Sequence, residues 1–117
     1  MPIPVDFVGT VSKDSMNNED LIKTFMAFLD YYWPVKAEEI RWEFSEVFDS
    51  LKNPIHWTKD GWEPPEYISG LAAHLVYGEL WDALNELAPA GYEFCENPKD
   101  FTDFGYWEVK KCQPYLN

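Results

Sequence analysis

Residues 91–109 read GYEFCENPKDFTDFGYWEV, and the interpretation of this stretch decides the fold. Gly91-Tyr92-Glu93-Phe94-Cys95 alternates in polarity, the pattern of a strand with one buried face. Phe104-Gly105-Tyr106-Trp107-Glu108-Val109 is rich in aromatic strand formers. The two segments are expected to pair as a hairpin. Residues 96–103 are then a long loop in which Asp100 and Asp103 flank Phe101. At the other end of the chain, residues 3–11 gather Val5, Phe7, Val8 and Val11 around a glycine, as a short strand does. Pro2 and Pro4 keep its beginning out of a central position. Added to the hairpin, this strand makes a small antiparallel sheet.

Between these ends the hydrophobic period changes to that of helices. Leu21, Phe25, Phe28, Leu29 and Tyr32 recur at helical spacing, widened by Ile22, Met26 and Trp33. Asn17 or Asn18 is placed to cap this helix, with Glu19 and Asp20 at its positive end, and Pro34 ends it. A second helix is expected over 36–52, with Ile40, Phe44, Val47, Phe48 and Leu51 as its apolar stripe. Residues 53–65 form a loop with an Asp60-Gly61 turn. A third helical region over 65–88 changes phase partway. Ile68, Leu71, Ala72 and Leu75 share one side, whereas Leu80, Ala83, Leu84 and Leu87 lie rotated by roughly a third of a turn. Gly78 sits at the change, where a break or kink is expected. The whole reads as one α+β domain over 1–117, three to four helices packed on the N-terminal strand and C-terminal hairpin.

Charge narrows the partners. The chain of 117 residues carries 21 acidic and nine basic residues, a net charge of −12, and Arg41 is its one arginine. Phosphate neutralisation needs Lys and Arg, so direct nucleic-acid binding has the wrong sign, as does an anionic membrane surface. A basic protein surface is the favoured partner. The hydrophobic content of 46% rules out a disordered acidic tail. Six tryptophans are more than a core of this size is expected to hide, so some should reach the surface. The N-terminus resembles no signal peptide and no stretch reaches membrane-spanning length, which points to the cytoplasm and to reduced thiols at Cys95 and Cys112.

Catalytic and cofactor signatures are missing. His56 and His74 form no local metal motif, and the cysteines have no CxxC spacing. The chain has no nucleophile elbow, phosphate loop, dinucleotide fingerprint or EF-hand loop. The expectation is a non-enzymatic protein without cofactor or metal. What stands out instead is the outer face of the second helix. Glu38, Glu39, Glu43, Glu46 and Asp49 share it, and Trp42 falls in their midst, nearly opposite the core stripe at about 100° per residue. Two placements are open for Trp42: packed beneath the Trp57–Trp62 loop or the hairpin, or presented to solvent as an anchor ringed by charge. Phe101 likewise either tucks into the core or stands out between Asp100 and Asp103.

The stretch 84–94, LNELAPAGYEF, with Asp103-Phe104-Gly105-Tyr106-Trp107 after it, resembles the C-terminal part of uncharacterised proteins on bacterial mobile elements. In size, charge and aromatic content the chain resembles the small acidic anti-CRISPR and anti-restriction proteins of phages and plasmids, many of which mimic nucleic acid with rows of carboxylates. That class has no shared fold and transfers no residue roles. It implies a cytoplasmic inhibitor that covers a basic, nucleic-acid-binding surface of an effector complex. Glu39, Glu43 and Glu46 would supply charge from successive turns, Glu38 and Asp49 would stand alongside, and Trp42 would be the desolvated anchor. Asp100, Phe101 and Asp103 would make a second contact. The main alternative is an immunity protein or antitoxin that neutralises a basic nuclease toxin by the same physics. A carbohydrate or small-ligand binder using exposed tryptophan with carboxylates ranks below both, and a divergent enzyme last.

Overall fold

The computed structural model describes residues 2–109 and confirms an α+β architecture. Strands β1 (Gly9–Ser12), β4 (Tyr92–Asn97) and β5 (Asp100–Glu108) form an antiparallel sheet in the order β1-β5-β4. Strands β2 (Trp57–Thr58) and β3 (Gly61–Trp62) form a separate small hairpin. The α-helices among the described residues are α1 (Asn18–Tyr32), α2 (Pro34–Glu43), α3 (Ser45–Leu51), α4 (Glu66–His74) and α5 (Trp81–Glu86).

The N-terminal strand is shorter than the sequence suggests. Residues ahead of Gly9 run outside the sheet, where Val5 N donates to Leu87 O at 2.9 Å. The hairpin, by contrast, is longer. Its strands continue through the expected loop to a tight turn, with Asn97 opposite Asp100. The register then jumps, so that Glu96 faces Phe104, and Phe101, Thr102 and Asp103 bulge from β5. The Thr102 carbonyl in this bulge accepts from Asp14 N at 3.2 Å, tying it to the end of β1. Gly105 lies where β1 crosses β5, and a Cβ there would overlap the Gly9 carbonyl oxygen. Glycine is therefore required at that crossing.

The core explains much of the aromatic excess. Phe25 of α1 meets Phe94 edge-on, with centroids 5.3 Å apart, and Phe104 in the same manner at 6.2 Å. Trp81 of α5 packs edge-on against Phe94 and Phe104. Edge-to-face contacts set the positive rim of one ring on the negative face of another, which adds to the burial of apolar area. Tyr106 is buried in this cluster, and its hydroxyl donates to Leu84 O at 2.7 Å. Burial pushes its phenol well above the ordinary range, with the nearby Tyr32 adding to the shift.

One helix expectation needs correction, and another takes a specific form. First, the helix expected over 36–52 is two helices. Pro34 both ends α1 and opens α2 at a position where its missing N–H costs nothing. Phe44 then leaves the helical region, with φ −109° and ψ 33°, and separates α2 from α3. Second, the interruption expected at Gly78 is present, as a change of helical winding that separates two short α-helices. Residues Leu75–Leu80 form a π-helical segment between α4 and α5. A π turn holds one residue more than an α turn, and one residue is about 100° of rotation. That rotation carries the buried set from Ile68, Ala72 and Leu75 over to Leu80, Ala83, Leu84 and Leu87. Leu71, expected with the first set, lies at the exposed edge of α4 instead.

A buried polar contact fastens the small hairpin to α3. Ser50 Oγ accepts from Trp62 Nε1 at 3.1 Å and shares a hydrogen bond with His56 Nδ1 at 2.5 Å. Cys95 is disulfide-bonded, which corrects the expectation of reduced thiols at that position; Cys112 lies outside the described residues. No helix among the described residues is long and apolar enough to cross a membrane.

Candidate functional site

The rotation of α2 determines what the molecule shows to solvent. Ala37 and Ile40 are buried against the rest of the fold. Next to them Arg41 reaches α1, donating from Nη1 to Asp30 Oδ1 at 2.7 Å and from Nη2 to Asp30 Oδ2 at 2.5 Å. A bidentate guanidinium–carboxylate pair fixes orientation as well as distance. The hydrogen bonds from Arg41 hold the Asp30 carboxyl below its ordinary range, and those same bonds raise the guanidinium. With one side of α2 buried and Arg41 tied down, the opposite side faces outward. Glu38, Glu39, Trp42 and Glu43 all lie exposed there.

Trp42 takes the solvent-facing placement of the two that the sequence allows. It is 79% exposed, and Glu39, Trp42 and Glu43 together line a shallow depression. Lys36 lies 4.0 Å from Glu39 and sits over the Trp33 ring, and Arg41 lies near enough to Glu38 to interact with its charge. The arrangement is an apolar ring flanked by carboxylates one helical turn apart, open to a partner on all outer sides. Such a surface can desolvate an aromatic anchor while its acids pair with cations around the rim.

The turn at Phe44 divides the acidic set. Glu46 and Asp49 are exposed on α3, but they line a second depression with Asn53, His56 and Tyr67. Tyr67 comes from α4, across a helix–helix contact that spacing along the chain does not reveal. Of the five acids, Glu39 and Glu43 therefore line one depression and Glu46 and Asp49 another, with Glu38 exposed outside both.

At the hairpin the three expected contact residues part company. Phe101 stands out, 65% exposed. The Asp100 carboxylate is engaged locally, with Oδ1 accepting from Thr102 N at 3.1 Å and Thr102 Oγ1 at 2.7 Å. The side-chain bond from Thr102 holds this carboxyl below its ordinary range, helped by the backbone bond. Asp103 is 4% exposed and is not available to a partner, which corrects its assignment as a surface contact. The bulge turns its side chain inward, where Oδ2 accepts from Asn97 Nδ2 at 3.0 Å. The hairpin tip lines neither of the two acidic depressions.

Among the described residues, no three His, Cys, Asp or Glu side chains come together as metal ligands would. The Ser50–His56 contact has the atoms of a nucleophile and a base, yet Ser50 is 2% exposed and its oxygen is spoken for by Trp62. It serves the packing of the small hairpin. No protein-family model, curated protein or solved structure matches this chain.

Proposed function

We propose that this protein is a non-enzymatic inhibitor from a phage or mobile element, acting as an anti-CRISPR protein that covers a basic nucleic-acid-binding surface of an effector complex in the host cytoplasm. The observation that supports it is Trp42, 79% exposed, with Glu39 and Glu43 beside it on a helix whose rotation is set by Arg41 and Asp30. Hiding a ring of this kind in a partner's pocket supplies binding free energy that solvated carboxylates do not. The carboxylates speed association with a cationic target, and the net charge of −12 extends that attraction beyond the contact. Glu46 and Asp49, turned onto the adjoining depression, suit a target whose cations are distributed over a broad groove.

The test is capture from host extract by wild-type protein, by Trp42→Ala and by Glu39→Lys/Glu43→Lys, with competition by DNA. Because Trp42 is exposed, its removal leaves the melting temperature nearly unchanged, whereas binding weakens by about 2 kcal/mol or more, roughly 30-fold. Recovery of a CRISPR effector subunit that DNA displaces supports the proposal. Recovery of a toxin would transfer the same surface to an immunity protein. Undiminished inhibition by both variants would show that this helix face is not the contact.

A further inference from the structure

A groove on the other side of α2 has a different chemistry. It holds about 560 Å³ and runs between α1, α3 and the small hairpin. Ile22 and Met26 of α1 and Phe48 and Leu51 of α3 line it with hydrocarbon, together with Trp57. The Trp57 ring is held in place by its Nε1, which donates to Leu51 O at 2.9 Å. This volume falls within the range of small-molecule sites, and the mixture of apolar walls with a few charged groups is typical of them.

The charges at its edge are not those of the rest of the molecule. Three acids and three bases line the groove, Glu19, Asp20 and Asp30 against Lys23, Arg41 and Lys52, in a chain whose overall ratio is 21 to nine. The acids are already engaged. Asp30 is held by Arg41, Asp20 Oδ2 accepts from Ser15 Oγ at 2.7 Å, and Glu19 Oε2 accepts from Trp62 N at 3.4 Å. The ammonium groups of Lys23 and Lys52 make no hydrogen bond or ion pair among the described residues. The groove thus offers apolar walls and two cations still open to an anion, with Asp30 paired to Arg41 and Glu19 and Asp20 each accepting one hydrogen bond from this chain.

The geometry points to a binding site here for a small amphipathic anion, a molecule with an apolar body and one carboxylate, as in a medium-chain fatty acid. The hydrocarbon would lie on Ile22, Met26, Phe48 and Leu51 against Trp57, and the carboxylate would meet Lys23 and Lys52. Neither lysine belongs to the acidic face proposed for the partner, so this site stands or falls independently of that reading.

The probe is dodecanoate, titrated below its micelle concentration into the intact protein by calorimetry, with dodecanol as the uncharged comparison. Saturable one-site binding is expected, with dodecanol and the Lys23→Gln/Lys52→Gln variant each weakening it roughly tenfold, the equivalent of about 1.4 kcal/mol. Both lysines are exposed, so the variant is expected to fold, and circular dichroism checks that it does. The dodecanol comparison needs no variant. Absence of saturable dodecanoate binding would overturn the proposal. Equal affinity for dodecanol would overturn the role of the cations, leaving only an adhesive apolar surface.

Discussion

Gly105→Ala is the sharpest test of the sheet. Gly105 pairs with Thr10 on β1 and with Cys95 on β4, so it sits in the middle of the three-stranded order. A Cβ at this position would overlap the Gly9 carbonyl oxygen and come within 2.7 Å of the Gly9 carbonyl carbon and 2.9 Å of Thr10 Cα. All three are backbone atoms, so no rotamer change relieves the clash and β1 must move away. Overpacking of this sort costs about 1–3 kcal/mol. Displacing β1 also weakens its ladder and the Asp14 N to Thr102 O bond, with each lost hydrogen bond worth about 1 kcal/mol. A total near 3 kcal/mol is expected, equivalent to a fall of roughly 12 °C in Tm at about 4 °C per kcal/mol for a domain of this size. Thermal unfolding followed by circular dichroism reads it. Gly70→Ala is the control, because Gly70 lies exposed in α4 with open space around its Cβ position. There alanine should raise stability by about 0.5–1 kcal/mol through helix propensity. A Gly105→Ala protein that melts within about 2 °C of wild type would refute the crossing of β1 over β5.

Three further outcomes follow from the described contacts. Ser50→Ala leaves the buried Trp62 Nε1 and the His56 ring without their shared oxygen, and urea unfolding should show a loss of about 1–3 kcal/mol; a loss under about 0.5 kcal/mol would mean the small hairpin does not depend on that contact. Tyr106→Phe removes a buried donor to Leu84 O and should cost about 1 kcal/mol at neutral pH, Leu84 O keeping its bond from Leu87 N. In the wild type the raised phenol makes the unfolded chain the better proton donor above about pH 10, so stability should fall as pH rises beyond that value, and less so in the Phe variant. Asp30→Asn tests the opposite sign. The carboxyl is depressed in the fold, so its contribution is complete above the ordinary carboxylate value and is lost as pH falls through the folded one. The pair is about half exposed, which limits the effect to about 1 kcal/mol at pH 7; unfolding curves of the two proteins should converge in acid, and a gap that persists there would exclude the ion pair as its cause.

Periodicity carried most of the architecture because it reports which side of each element meets the core. It placed α1 to within a residue, paired the C-terminal strands and put the N-terminal strand beside them. It also detected the π segment, as a jump in phase at Gly78, without being able to say that the backbone absorbs the jump by an extra residue in one turn. Where it failed, the cause was a backbone choice that leaves the pattern almost untouched. The residues 96–103 look like a loop because they are polar with a proline, yet a bulge lets β5 continue and sends Phe101 and Asp103 to opposite environments. Two acids flanking an aromatic residue are therefore not one surface feature. The same logic governs the acidic helix. Ile40, Phe44 and Val47 keep helical spacing across the turn at Phe44, so the core stripe gives no sign that the helix has ended. The outer face does feel it, since a small change in backbone direction separates Glu39, Trp42 and Glu43 from Glu46 and Asp49. A straight row of carboxylates would suit the regular spacing of a phosphate backbone. Two clusters, one of them beside the exposed Trp42 ring, suit a protein groove instead, where cations come at irregular intervals and an aromatic residue has a pocket to fill. For this chain, the position of Trp42 is thus a stronger pointer to mechanism than the number of its acids.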